Sequence, residues 1–386
     1  MIAVFIFALA LLAAVLGSGI ASRTPASVSV LLILVGVVAG HAGLGWIDWA
    51  PRDPGVEHLA RWALVAVLYT DGMRIGLRQL RSAWHLPGRA LLLGMPLTFV
   101  VIAVLAHGLA GLPWLQSLLI AAVLSPTDPL LAAAVVEREE VPSPLRRLLN
   151  VESGLNDGLA LPVVLVLLSL LGEQEKTLLR LLAEVAGGVA IGLALPWLAS
   201  RVRPARVQII AKYQPLYGLG LGLLLFSVAS LLDMNVYLAA FTGGMCFASV
   251  DAELQGSFET VGQVATEVLK LLVLLVFGAL LSPHLFGSLG LGGYLFAIGT
   301  LVLARPLPLQ IALLGSALTP RQRWVAAWFG PKGFASLIYA IEVLRSGVEQ
   351  AATLYHLVAV VITLSILAHS STDVPAAKWV QRESQR

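Results

Sequence analysis

Apolar runs of roughly 18 to 25 residues recur along the whole chain, the length that a bilayer core requires of a helix. Short stretches rich in arginine, glycine and proline divide them. The pattern predicts thirteen membrane spans. Their cores lie near 2–20, 26–45, 57–75, 87–110, 114–135, 145–171 and 178–199, then 213–232, 235–250, 260–281, 288–312, 322–343 and 352–371. The ninth is short, and its merger with the eighth into a hairpin or broken helix is the twelve-span alternative. A β-barrel would show short alternating segments instead, so the expected class is an all-α polytopic membrane protein. The first run lacks a basic leader and a clean small-residue cleavage site, so it reads as the first span rather than a signal peptide.

Composition agrees with that class. Hydrophobic residues make up 58% of the 386 and charged residues 12%, against about 25% charged in a soluble domain; mean hydropathy is +0.88. The formal charge of +3 reflects arginine-rich loops rather than a nucleic-acid surface. Arg74, Arg78, Arg81 and Arg89 flank one connection, and Arg138, Arg146 and Arg147 another two spans later. Arg201, Arg203, Arg206 and Lys212 follow, then Arg321 and Arg323, then Lys378, Arg382 and Arg386. The alternate loops hold only Arg52, Lys176, Arg180 and Arg345. The positive-inside rule therefore puts the C-terminus in the cytoplasm. Residues 1–371 are expected to form one membrane unit, followed by a short cytoplasmic tail, 372–386. The single cysteine, Cys246, excludes a disulfide framework. No P-loop or dinucleotide fingerprint occurs, so no nucleotide partner is expected and an ion gradient would have to drive any transport.

Ionisable groups at a span centre cost roughly 2.5 to 3.5 kcal/mol each on the insertion scale. The mid-span candidates are Asp71, Asp128, Glu152, Asp157, Lys270, Arg305 and Lys332. In the fifth span Pro126 and Pro129 bracket Thr127 and Asp128. Two prolines remove two backbone donors and break the helix, and unwound backbone at membrane depth survives only beside protein or a water-filled cavity. Such a break is an ion site, with Asp128 also suited to capping the second half of its own span. In the sixth span Ser153 and Asp157 lie four apart on one helix face, with Glu152 and Asn156 on the adjacent stripe. A carboxylate and a hydroxyl on one face suit a hard cation. Glu152 needs a counter-ion, and Arg305 of the eleventh span is the natural one. Gly330-Pro331-Lys332-Gly333 interrupts the twelfth span as the proline pair interrupts the fifth. Paired interruptions point to inverted repeats with two crossing broken helices, and Lys332 would offset a freed half-helix C-terminus. Asp71 reads as a further ligand, a cation-attracting funnel residue or a plain interfacial acid. Glu267 and Lys270, three apart, are expected to pair. The seven histidines form no metalloprotease helix, and no nucleophile elbow occurs.

The run from Ser125 to Pro129, the run from Glu152 to Gly158, Arg305, and the run from Trp328 to Gly333 stand in an order that resembles the cation/proton antiporters of the NhaP and sodium/hydrogen exchanger type. The resemblance covers nearly the whole chain. It implies a thirteen-helix antiporter fold, usually a homodimer, with core helices at about 87–171 and 288–371 and a dimer scaffold from the remainder. It implies a transported Na+ or K+ near Asp157, Asp128, Ser153 and Thr127, with Asn156 beside them and Asp71 contributing. Glu152 and Arg305 match a structural ion pair. The Asn156-Asp157 pair resembles the electroneutral branch. The implied activity is sodium/proton antiport in a bacterial inner membrane, serving pH homeostasis, without a cofactor and without being an enzyme. Potassium/proton antiport is the nearest alternative, and a cation channel or a non-transporting membrane sensor are the alternatives of a different class. Two positions depart from the pattern: Lys332 stands where arginine is common, and Lys270 is an additional mid-span charge.

Overall fold

A computed structural model describes residues 1–21, 28–74, 85–128, 135, 138, 141–172, 178–202 and 209–384. Pro129, and the loop and terminal charges Arg78, Arg81, Lys176, Arg203, Arg206 and Arg386, lie outside the described residues. The described residues are helical, without a strand.

Helices α1 (Ile2–Ala21), α2 (Val28–Ala39) and α3 (Pro54–Arg74) open the chain. Next come α4 (His85–Ala110), α5 (Trp114–Leu124) and α6 (Ser143–Leu171). Helices α7 (Leu178–Val202), α8 (Gln214–Leu231), α9 (Val236–Val250) and α10 (Ala252–Leu280) follow. The chain closes with α11 (Leu291–Ala312), α12 (Pro320–Trp328), α13 (Phe334–Arg345) and α14 (Ala351–Ser384). Counting α12 and α13 as halves of one span gives thirteen. Seven of the helices, α4, α6, α7, α8, α10, α11 and α14, are long and apolar enough to cross a membrane unaided. The shorter α5 and α9 are as apolar. Helices α8 and α9 are separate, because the chain turns at Asp233 with φ 54° and Asn235 caps α9 by accepting from Leu238 N at 2.8 Å.

Two helix trios repeat the same plan. Helices α4 and α11 each carry a π-helical turn, at Ala90–Gly94 and Thr300–Ala304. The next span in each trio is interrupted, after Leu124 in one and between Trp328 and Phe334 in the other. The π turn in α11 is followed by Arg305 and Pro306, so the missing proline donor is absorbed where the register already shifts. Helices α4, α5, α6, α11, α13 and α14 pack mainly on one another; α2, α3, α7, α8, α9 and α10 do likewise. The two sets meet chiefly where α6 and α13 lie against α3, α9 and α10, with α14 also touching α2 and α6 touching α7.

Small residues set the closest crossings, as expected where lipid leaves no hydrophobic drive between helices. A Cβ on Gly244 of α9 would stand 2.1 Å from the Tyr69 carbonyl oxygen of α3, whereas one on Gly256 would meet nothing within 4 Å. Gly244→Ala is therefore expected to destabilise the protein by about 1–3 kcal/mol through overpacking. Gly256→Ala should leave it unchanged or slightly firmer. Thermal unfolding in detergent checks both, and equal midpoints for the two variants would contradict the packing argument.

The expected tail takes a different form. Helix α14 runs on to Ser384, and Ala377 and Val380 are buried in a cluster with Val325, Ala326 and Phe329. The chain after His369 thus covers the C-terminal end of α12.

Candidate functional site

Helix α5 stops at Leu124, and Ser125 to Asp128 continue without helical bonds. They face the gap between α12 and α13. Asp128 N donates to the Pro331 carbonyl at 2.8 Å, and the Asp128 Oδ2 accepts from Phe334 N, the first residue of α13, at 3.1 Å. In return Lys332 Nζ donates to the Ser125 and Pro126 carbonyls at 3.3 and 3.2 Å. Each interrupted span therefore caps the other: the carboxylate sits at a helix N-terminus and the ammonium at a helix C-terminus, the favourable polarity for each. Freed backbone groups at membrane depth find partners this way. The residues that follow Asp128 in its own span, 129–134, lie outside the described ones, and with them the expected cap there; among the described residues Asp128 caps α13. Lys332 N donates to Ser365 Oγ at 2.7 Å, which ties the break to α14.

Helix α6 brings its polar face against this crossing. Thr127 Oγ1 lies 3.2 Å from Ser153 Oγ and accepts from Asn156 Nδ2 at 2.7 Å. Asp157 is buried at 5% exposure. Its backbone carbonyl accepts from Tyr339 OH at 2.9 Å. Asp157 Oδ1 and Asn156 Oδ1 are buried with no hydrogen-bond partner among the described residues. A buried unpartnered carboxylate oxygen is costly unless something positive completes it. The α6 backbone is fixed next door, where a Cβ on Gly158 would come within 2.7 Å of the Phe241 ring of α9.

Glu152, also on α6, meets Arg305 as a fork, with Nη2 to Oε2 at 2.9 Å and Nη1 to Oε1 alongside. The same guanidinium donates to the Ala326 and Phe329 carbonyls, both at 3.3 Å, and so closes the C-terminal end of α12. Gly330 is required here, because any side chain would overlap Arg305 Cδ.

Asp71 is buried near the end of α3, with Arg74 Nη1 3.6 Å from its Oδ1. It lies within electrostatic reach of Asp157. No three His, Cys, Asp or Glu side chains converge as a metal cluster among the described residues. The expected Glu267–Lys270 pair is not formed. Lys270 occupies the buried stripe of α10 with Gly262 and Thr266, one turn apart each, while Glu267 is rotated out to the exposed side. Lys270 Nζ instead stands 4.0 Å from Asp128 Oδ1. Sequence reasoning also passed over Tyr339, Ser365 and His369. The His369 ring nitrogens lie 2.7 Å from the Ser365 carbonyl and 2.9 Å from that of Trp328. Only the four-residue spacing of Ser365 and His369 on α14 hinted at a shared polar face.

The sequence profile described as "Sodium/hydrogen exchanger, transmembrane" matches residues 7–379. The K(+)/H(+) antiporter NhaP2 of Shewanella sp. (strain MR-4) is 27% identical over 387 residues, covering 97% of this chain and 66% of the relative. The K(+)/H(+) antiporter NhaP of Alkalimonas amylolytica is 24% identical over 375 residues, covering 94% and 64%. The chain thus spans slightly under two thirds of the length of these relatives. The Na(+)/H(+) antiporter 2 of Zygosaccharomyces rouxii is 32% identical over 150 residues, 37% of this chain and 19% of that one. Among solved structures, the sodium proton antiporter MjNhaP1 from Methanocaldococcus jannaschii shares the fold with a TM-score of 0.79 at 19% identity, over 99% of both chains.

Proposed function

The chain belongs to the sodium/hydrogen exchanger family, and from that premise we propose that it exchanges a monovalent alkali cation, sodium or potassium, for a proton across a membrane, one for one. The observation that carries this reading is the pair of buried, unpartnered oxygens on Asp157 and Asn156, beside the hydroxyls of Thr127 and Ser153. All are hard oxygen donors, the type that alkali cations take.

Asp157 holds either a proton or a cation, never both. A cation against the carboxylate removes the reason to keep the proton, and a proton removes the charge that attracts the cation. The unloaded carboxylate is held back by the cost of carrying a bare charge through the bilayer interior, and that cost couples the two fluxes. Asn156 spends its amide on Thr127 and brings no second ionisable group, which supports one cation per proton. The mutual capping of the two breaks lets the crossing move as one rigid piece in alternating access. Core helices at about 87–171 and 288–371 would carry the site past the remaining helices, in a homodimer, with Asp71 drawing cations towards it. The arginine asymmetry supports a cytoplasmic C-terminus, and the bacterial relatives support an inner membrane.

The two cations are supported by different observations. The relatives that cover most of the chain are named for potassium, and the shared fold belongs to a protein named for sodium. The test is proton movement in proteoliposomes with an acidic interior. Adding the transported cation outside should make the interior alkaline within seconds, and the cation with the lower half-maximal concentration is the substrate. No response to either cation from correctly inserted protein would sink the reading. Cation entry without proton exit would indicate a channel.

A further inference from the structure

The antiport reading leaves one buried charge without a task. Lys270 stands in the middle of α10, a helix that packs on α2, α3 and α8. Asp128 belongs to the crossing of α5 with α13. Their 4.0 Å contact therefore joins the two sets of helices. It is too long for a hydrogen bond, so the ammonium is held by charge, with the Phe334 ring 5.8 Å away as a second, weaker support. Asp71 and Asp157 also lie within its electrostatic reach. The other positive groups of the site are committed elsewhere: Arg305 to Glu152 and the end of α12, Lys332 to the end of α5, and Arg74 to Asp71. Lys270 is the buried cation beside Asp128, on a long flexible stem, without a hydrogen bond locking it among the described residues.

Resting on the antiport reading, we propose that Lys270 is a tethered cation that competes with the transported one, setting the apparent affinity of the site and restraining the crossing while the site is unloaded. Two positive charges beside Asp128 and Asp157 repel, so an arriving alkali cation weakens the hold of Lys270. With that hold weakened, α5 and α13 are freed from α10 and the sets can slide. A competitor that is part of the chain lowers the fraction of protein ready to bind, and apparent affinity falls in proportion.

The test compares the full-length wild type with Lys270→Met, Lys270→Gln and Lys270→Arg in proteoliposomes, varying the cation at pH ~9, where protons compete least. Removing the competitor is expected to lower the half-maximal cation concentration about tenfold in the Met and Gln variants and to raise cation-independent proton leak. Lys270→Arg keeps the charge and should stay within about twofold of wild type. A merely structural lysine would lower the rate without tightening the affinity. Unchanged affinity in both neutral variants, or a tenfold tightening in Lys270→Arg as well, overturns the inference and leaves the antiport reading standing. Absence of exchange by the wild type would instead remove that reading itself. If neither neutral variant folds, Lys270→His against Lys270→Arg at the same pH decides, since imidazole is then neutral and guanidinium charged; the His variant must bind more tightly.

Discussion

Replacing Asp157 with asparagine is expected to abolish cation-coupled proton movement while leaving the protein folded. The substitution keeps shape and volume. The contact that fixes the local backbone, Tyr339 OH to the Asp157 carbonyl, is made to the main chain and survives. Oδ1 accepts no hydrogen bond among the described residues, so the change breaks no packing interaction there. In the proposed exchange it removes the one group that takes both substrates. A cation entering the neutralised site lacks its counter-charge, at a cost on the order of 2.5–3.5 kcal/mol, which corresponds to a loss of roughly 100-fold. An amide also carries no proton in exchange. Dye-reported exchange in proteoliposomes should fall to the level of empty vesicles, with a thermal midpoint close to wild type. Exchange persisting within about tenfold of wild type would move the role to another acid, Asp128 or Asp71 being the next candidates.

The spans and the breaks were legible because they rest on local rules. Apolar length marks a span whatever it packs against, and a proline breaks a helix wherever it stands. Helix α3 was readable by its apolar run although Glu57, His58, Arg61 and Asp71 interrupt it. What sequence could not supply is the choice of partner across the fold. Nothing around Asp128 in the chain points to Phe334, more than 200 residues away, whose backbone amide donates to its carboxylate. Lys270 had Glu267 three residues before it, yet the angular offset between them puts one on the buried stripe and the other outside. For Lys270 a local rule offered a partner and the three-dimensional crossing offered another, Asp128. The end of α14 is the same lesson in apolar form. Ala377 and Val380 look like tail residues until the buried Val325, Ala326 and Phe329 around the end of α12 are set beside them.

Cutting the Glu152–Arg305 pair on one side should be among the most destabilising changes available to this chain. Arg305→Met leaves Glu152, 3% exposed, as an uncompensated charge inside the bundle. Glu152→Met strands the guanidinium, whose Nε has no partner even in the intact protein. Each single change is expected to cost about 3–5 kcal/mol, seen as a large fall in thermal midpoint and in folded yield. The double variant removes both charges and replaces them with adaptable apolar side chains, so it should be more stable than either single one. It should not return to wild type, because Arg305 also closes the Ala326 and Phe329 carbonyls at the end of α12, and methionine offers those no donor. The residual deficit measures that capping, at about 1–3 kcal/mol for buried acceptors left open. The order of midpoints, wild type above double above singles, separates a pair that matters through its charges from one that matters through its shape. Additive single effects would favour shape. Retained exchange in the folded fraction of the double variant would place the pair outside the transport chemistry, and lost exchange there would make it a part of the moving crossing.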